Sequence, residues 1–90
     1  MFVAVACDFG NDDHELAVED MLLQYGFRRV MKHVYESAKI KEATLLRLKR
    51  DIDRITDSFD KVRFYQYPMD DTFTISFLAN KQWRKTVVKK

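Results

Sequence analysis

Residues 2–7 form a continuous apolar run that ends at a carboxylate and a turn. The run reads Phe-Val-Ala-Val-Ala-Cys and is followed by Asp8 and Gly10. Its length and its valine content are typical of a β-strand that is buried on both faces, and the run is too short for an ordinary helix. The run therefore predicts a buried strand over residues 2–7, with the Asp8 side chain at its carboxyl end.

Apolar spacing predicts two helices after this strand. The first follows the turn at residues 10–13, with Asp12 as its predicted cap, Glu15 three residues later, and Gly26 at its end. Its apolar face is formed by Val18, Met21, Leu22 and Tyr25. The second helix is predicted over residues 41–59, where an apolar stripe has alternating spacings of three and four. This stripe consists of Leu45, Leu48, Ile52, Ile55 and Phe59.

The remaining apolar patterns predict strands. Residues 27–37 are interpreted as one strand, residues 61–67 as another, and residues 72–78 as a third with strict alternation of apolar and polar side chains. A turn is predicted at residues 68–71. The tail, residues 81–90, contains Trp83, Val87 and Val88, which are enough for a short last strand.

This order of elements predicts an α+β protein with a ferredoxin-like fold of the βαββαβ type. The helices pack on one face of an antiparallel sheet. Because residues 37–40 are too few for another strand, the simplest order is β-α-β-α-β-β plus the tail. Residues 1–90 form one domain, since two would each be too small to bury a core. The tail is expected to pair with a sheet edge of this chain or of a second copy, and the small core favours a dimer.

Charge is distributed unevenly along the chain, although the formal net charge is only +2. Residues 1–26 contain six acidic residues and no lysine or arginine, whereas residues 27–54 contain nine basic and four acidic residues. A metal site beside a nucleic-acid surface explains this pattern, and so do two solvated helix faces of opposite sign. Charge alone does not decide between them.

Several classes of protein are excluded by composition. A single cysteine forms no intrachain disulfide and no zinc cluster, and two histidines are too few for a histidine-rich metal site. No apolar run approaches the roughly 20 residues that span a bilayer. The first residues carry no basic segment of a signal peptide. We therefore expect a cytoplasmic protein without membrane association.

Four segments resemble, in order and spacing, the CRISPR-associated Cas-two family. They are the apolar strand ending at Asp8, the acidic turn with its short glycine-ended helix, the Arg-Val-Met-Lys-His-Val-Tyr-Glu sequence at residues 29–36, and the Val-Arg-Phe-Tyr sequence at residues 62–65. Some residues differ from the family pattern, including Cys7 in place of tyrosine and Tyr35 in place of phenylalanine. Glu15 and Ala17 stand where many members carry arginine, which weakens the case for nucleic-acid contacts there.

The resemblance implies a ferredoxin-like homodimer that works with the Cas-one integrase to capture short DNA pieces as new spacers. It also implies metal-dependent nuclease activity on RNA or DNA, with the strand-end aspartates of both protomers beside one metal ion. Asp8 is accordingly the predicted catalytic residue and Mg²⁺ ligand, because two carboxylates with waters and phosphate oxygens suit an octahedral cation. The alternative for Asp8 is a capping role in the turn.

Four further residues are candidates for nucleic-acid binding: Arg28, Arg29, Lys32 and Tyr35. The three basic side chains can hold phosphates without contacting nucleobases, and Tyr35 either stacks on a nucleotide or packs in an interface.

Helix capping explains Asp12 and Asp13 better than metal binding does, and His14 is expected on the surface, although it can act as a general base. Two other functions stay open: a toxin-like ribonuclease of the VapD type, and a small-molecule-binding ferredoxin-like regulator.

Overall fold

The computed structural model describes residues 1–67 and 72–89, which form one six-stranded antiparallel sheet and two helices. In chain order the elements are β1 (Phe2–Asp8), α1 (Asp12–Gln24), β2 (Arg28–Met31), β3 (Val34–Ser37), α2 (Glu42–Ile55), β4 (Lys61–Tyr67), β5 (Thr72–Ala79) and β6 (Gln82–Lys89). The strand order is β2-β3-β1-β4-β5-β6. The first four strands and both helices are a complete βαββαβ unit, which confirms the predicted α+β, ferredoxin-like fold.

The prediction of one strand over residues 27–37 is wrong. Residues 32 and 33 form a two-residue turn between β2 and β3, and His33 adopts the left-handed region with φ 66°. The pairing of Met31 with Val34 closes this hairpin, and a bulge lies between Arg29 and Met31. Lys-His is not a turn sequence with a strong signature, because β-hairpin turns of this length favour asparagine, aspartate and glycine. The extra strand therefore left no local signal.

One face of β1 carries the centre of the core. Val3, Val5 and Cys7 are buried, whereas the alternate residues Phe2, Ala4 and Ala6 are only partly buried. The strand is thus fully covered on the helix side alone, not on both faces as its composition predicted. Both helices pack on that side, with buried side chains from α1 (Val18, Leu22) and α2 (Leu45, Leu48, Ile52).

The ends of α1 follow ordinary capping rules, with a one-residue correction. The cap is Asn11 rather than Asp12, and its Oδ1 accepts a hydrogen bond from the backbone N–H of His14 at 2.8 Å. At the other end Gly26 has φ 89°. The N–H of Phe27 donates to the Leu22 carbonyl and that of Gly26 to the Leu23 carbonyl, so the helix ends in a Schellman motif.

Helix α2 is shorter than its apolar stripe predicted. It ends at Ile55, because the backbone of Thr56 is extended, and Phe59 is 77% exposed in the connection to β4. None of the described helices is long and apolar enough to cross a membrane.

The alternation in β5 is present, but its apolar side faces away from the helices. Ser76 and Leu78 are buried beneath α2, whereas Phe73, Ile75 and Phe77 lie on the opposite surface, which we call the open face of the sheet. No described helix covers this face. The predicted turn at 68–71 lies outside the described residues.

Strand β6 accounts for most of the tail and pairs with β5 of the same chain. Its hairpin turn contains Asn80 and Lys81, both with positive φ. This is one of the two pairings that the sequence left open. The outer edge of β6 has no neighbouring strand among the described residues, so its contact with a second copy stays a prediction.

Candidate functional site at the carboxyl end of β1

Several connections meet where β1 ends. Asp8 pairs with Lys61 at the start of β4, and the backbone N–H of Cys7 donates to the carbonyl of His33 at 2.9 Å. The β2–β3 turn therefore lies beside the end of β1, and Lys32 within that turn lies at the same end of the sheet as Asp8. Antiparallel pairing thus brings together two of the predicted site residues.

The Asp8 side chain is exposed and makes no hydrogen bond or ion pair within residues 1–67 and 72–89. The turn after β1 is closed instead by Asn11 and Asp60, whose oxygens accept the backbone N–H groups of His14 and Gly10. The capping alternative for Asp8 therefore has no support in the described hydrogen bonds. A free carboxylate is the donor type that Mg²⁺ prefers, although Asp8 belongs to no group of three or more metal-ligating side chains within residues 1–67 and 72–89.

Cys7 precedes Asp8 and is excluded from the chemistry of this end. Its side chain is 7% exposed and packs in the core. Burial, with a smaller contribution from the Glu15 carboxylate, raises the pKa of the thiol to about 12. Because the thiolate is the nucleophilic and metal-binding form, Cys7 is inert at neutral pH.

A buried carboxylate, which the sequence did not reveal, organises the connections around Asp8. Asp60 is 1% exposed. Its Oδ1 accepts the N–H of Gly10 at 2.8 Å, and its Oδ2 accepts the N–H of Asp57 at 2.8 Å and lies 2.6 Å from Nδ1 of His14. Burial by itself raises the pKa of Asp60, but these hydrogen bonds outweigh burial and hold the pKa below its usual value.

His14, Asp57 and Asp60 offer ligand atoms within 4.8 Å of one another, which is close enough to hold a metal ion. Both oxygens of Asp60 already accept backbone N–H groups, and its Oδ2 also contacts His14. A cation at this cluster would have to displace the contact between His14 and Asp60. The arrangement fits a structural link between the β1–α1 and α2–β4 connections better than it fits a metal centre.

His14 is therefore only partly a surface residue, since its side chain is 27% exposed. A second histidine contact joins the same region: Nε2 of His33 lies 2.5 Å from Oε1 of Glu15. Glu15 thus fixes the β2–β3 turn to α1.

The predicted basic residues do not form one patch. Arg28 lies opposite Glu36 in the β2–β3 register, on the open face of the sheet. The next residue, Arg29, points to the helix side, where it lies 3.5 Å from the Glu19 carboxylate of α1. Lys32 is exposed at the Asp8 end. Alternation along β2 separates the two arginines onto opposite faces, a consequence that was implicit in the strand prediction.

Tyr35 is 3% exposed and belongs to the core. Burial is the main cause that raises the pKa of its hydroxyl, followed by the Glu19 carboxylate. A ring in this position packs and is not accessible for stacking on a nucleotide. We therefore correct the inclusion of Tyr35 among the nucleic-acid-binding residues, in favour of the packing role that the sequence also allowed.

Comparison with known proteins gives a family. No curated protein matches the chain. A crystal structure of a hypothetical protein, TT1823 from Thermus thermophilus, is similar with a TM-score of 0.66 and 29% sequence identity, over 79% of this chain and 83% of that one. The sequence model of the family described as CRISPR associated protein Cas2 matches residues 1–75, which include every element from β1 to β4 and the Asp8 end of the sheet. The chain therefore belongs to the CRISPR-associated Cas2 family.

Proposed function

We propose that this protein is a homodimeric, nucleic-acid-binding component of CRISPR spacer acquisition that works with the Cas-one integrase. The observation that carries the proposal is the open face of the sheet in a chain of this family. Rings of Tyr67 and Phe73 stack there with centroids 5.2 Å apart, and Phe2 lies 5.7 Å from Tyr67. An aromatic surface that no described helix covers is typical of an interface.

Arg63 adds a polar reason for a second copy on this face. The central carbon of its guanidinium lies 5.3 Å from the centroid of the Tyr65 ring and 5.2 Å from that of the Phe77 ring. Its buried Nε has no hydrogen-bond partner among the described residues. An unpaired buried donor costs about 1–3 kcal/mol, so an acceptor from a second chain would stabilise the assembly.

Asp8 supports metal-dependent phosphodiester cleavage as a further part of the proposal. Its carboxylate is exposed and unengaged within the described residues, and a dimer would supply two such ligands. A bound Mg²⁺ would polarise a phosphate and activate water. Asp8 would hold the ion, and nearby Lys32 would position the nucleic-acid strand.

Nucleic-acid binding is tested by its salt dependence. Arg28 and Lys32 are exposed and have no ion pair within residues 1–67 and 72–89. Their contacts would be to phosphates, so log affinity for duplex DNA should fall linearly with log salt, by about 0.9 per phosphate contact. Arg28→Ala and Lys32→Ala should each weaken binding to all sequences alike and reduce the slope by about 0.9 for each protomer that contacts the DNA.

Lys89→Ala is the matched control for this measurement, because Lys89 is an exposed base on the opposite edge of the sheet. It should leave the slope unchanged. A loss confined to one DNA sequence would contradict phosphate binding. Co-expression with a Cas-one integrase tests the partnership: the two proteins should elute together from a sizing column, and separate elution would argue against it.

A further inference from the structure

A second basic surface lies near the opposite edge of the sheet from Arg28. It is a groove of about 400 Å³ between α2 and the β5–β6 hairpin, which we call the α2–β6 groove. The residues that matter for its chemistry are Leu46, Lys49, Arg50, Asp53, Trp83 and Lys85. It lies on the helix side of the sheet, apart from the open face.

Trp83 is held in a fixed orientation in this groove. Its Nε1–H donates to Oδ2 of Asp53 at 2.9 Å, and its ring lies 5.9 Å from that of Phe64. It nevertheless remains 37% exposed. A fixed, partly exposed indole offers a planar surface to a ligand without the cost of ordering a mobile side chain.

Lys49 is a partly buried cation without a carboxylate partner in the described structure. Its Nζ donates to Oε1 of Gln66 at 2.6 Å and to Oγ of Ser76 at 2.9 Å, which leaves a third hydrogen unassigned. It lies 5.9 Å from the centre of the Trp83 ring. Burial, followed by repulsion from Lys85, lowers its pKa to about 8. The negative charge of an anion in the groove would offset both effects and favour the charged form of Lys49.

The single carboxylate among the groove residues does not neutralise these cations. Asp53 already accepts hydrogen bonds from Lys81 and Trp83, and the hydrogen bond from Lys81 is the main cause that lowers its pKa. Lys49, Arg50 and Lys85 are left without an ion pair within residues 1–67 and 72–89. The groove is therefore complementary to a ligand with negative charge.

We propose that the α2–β6 groove binds a nucleotide, with its base stacked on Trp83 and its phosphate held by Lys49, Arg50 and Lys85. Stacking on an aromatic face beside phosphate-binding cations is the chemistry that single nucleotides and strand ends share. An acidic peptide would match the charge but would leave the indole surface without a planar partner. The groove is separate from the Arg28 and Lys32 surface, so this proposal can fail while the proposed function stands.

The fluorescence of Trp83 tests the proposal directly, because it is the only tryptophan in the chain. Adenosine monophosphate should quench it with a saturable isotherm. Adenosine and ribose 5-phosphate, which lack the phosphate and the base respectively, should each bind at least tenfold more weakly. A single-stranded oligonucleotide with a 5′-phosphate distinguishes the sources: tighter binding than the nucleotide identifies a strand end, and equal or weaker binding identifies a free nucleotide.

Substitutions then assign the binding to the groove. Lys49→Met should weaken nucleotide binding at least tenfold, whereas Lys39→Met, at an exposed lysine outside the groove, should leave it unchanged. If Lys49→Met does not fold, the double variant Arg50→Met and Lys85→Met gives the same test, because both side chains are exposed. No saturable quenching by nucleotide or oligonucleotide would overturn the proposal. So would ribose 5-phosphate or a glutamate-rich peptide binding as tightly as the nucleotide.

Discussion

Asp60 shows at the scale of one residue how tertiary contacts create a feature that sequence patterns do not reveal. Its partners come from parts of the chain that are far apart: Gly10 lies in the β1–α1 connection, His14 in the first turn of α1 and Asp57 in the α2–β4 connection. The Asp-Ser-Phe-Asp sequence at residues 57–60 indicates a turn. Nothing local indicates that its last carboxylate is buried against the loop after β1. The position of Asp8 at the end of β1 was predictable, by contrast, because the apolar run before it has an unambiguous end.

Replacing Asp60 by asparagine should destabilise the fold by about 1–3 kcal/mol, since an amide has one acceptor oxygen where the carboxylate has two. Urea denaturation at pH 7 measures the change. Asp13→Asn, at an exposed residue of α1, is the control and should change stability by less than about 0.5 kcal/mol. Equal effects of the two substitutions would contradict the linking role of Asp60.

The same carboxylate predicts a pH dependence. Its folded pKa lies below the unfolded value of about 3.9. The charged form is therefore favoured in the folded state, and its contribution to stability is present above about pH 3.9 and lost as pH falls through the folded pKa. The stability difference between the natural protein and Asp60→Asn should shrink over that acidic range. A difference that stays constant down to pH 2 would contradict the assignment.

Gly10 is needed because the loop after β1 closely approaches the α2–β4 connection. A Cβ at this position would lie 2.7 Å from the Cβ of Phe59. Gly10→Ala should cost about 1–3 kcal/mol through this overlap. Phe59→Gly removes the overlapping atom, so the double variant should be less destabilised than the sum of the two single changes. Additive effects in urea denaturation would show that the cost of Gly10→Ala does not come from its contact with Phe59.

At the scale of elements, periodicity predicted what local geometry determines and missed what only pairing determines. The stripe of α2 as far as Ile55 and the alternation of β5 correctly predicted which side chains share a face. The β2–β3 hairpin was missed because four-residue strands joined by Lys32 and His33 lack both length and a turn signature. The extension of α2 to Phe59 was wrong because an apolar residue at helical spacing is also acceptable in an exposed connection.

Strand β6 should contribute to stability independently of any dimer. Deleting residues 81–90 removes Trp83 from its contact with Phe64 and exposes the backbone edge of β5. We expect a loss of about 2–4 kcal/mol in urea denaturation, comparable to truncating a large side chain. Sedimentation then reports whether the tail also supports dimerisation, in which case the apparent mass falls by half. Unchanged stability would contradict the packing role of β6.

At the scale of the whole molecule, the ferredoxin-like fold was predictable although β3 was missed, because two helices alternating with strands can cover a small sheet in few ways. The open face was harder to foresee. In β5 the apolar alternation of Phe73, Ile75 and Phe77 is strong, yet it points away from the chain's own core. A sequence pattern shows which side chains share a face of a strand but not which face the helices cover. Here the helices cover the more polar face of β5, and its more apolar face lies on the open face of the sheet.

Whether the protein cleaves nucleic acid or only binds it depends on Asp8, and Asp8→Asn is the substitution that tests this. The substitution keeps the size of the side chain and removes the charge that would bind Mg²⁺. Because Asp8 makes no hydrogen bond within the described residues, stability and sedimentation should be unchanged, and DNA binding should stay equal or tighten as a negative charge near phosphate is lost. Asp12→Asn, at an exposed acid in the first turn of α1, is the matched control.

Magnesium-dependent cleavage of RNA or DNA, measured with purified protein, should be lost in Asp8→Asn and kept in Asp12→Asn. Spacer acquisition in cells should survive in both, because the acidic turn and first helix favour a positioning role over phosphate capture for cleavage. Failed acquisition in Asp8→Asn alone would make catalysis essential to the pathway. Cleavage that is equally fast with asparagine at position 8 would instead rule out the two-carboxylate metal site, since a neutral amide pair cannot hold the ion as two charges do.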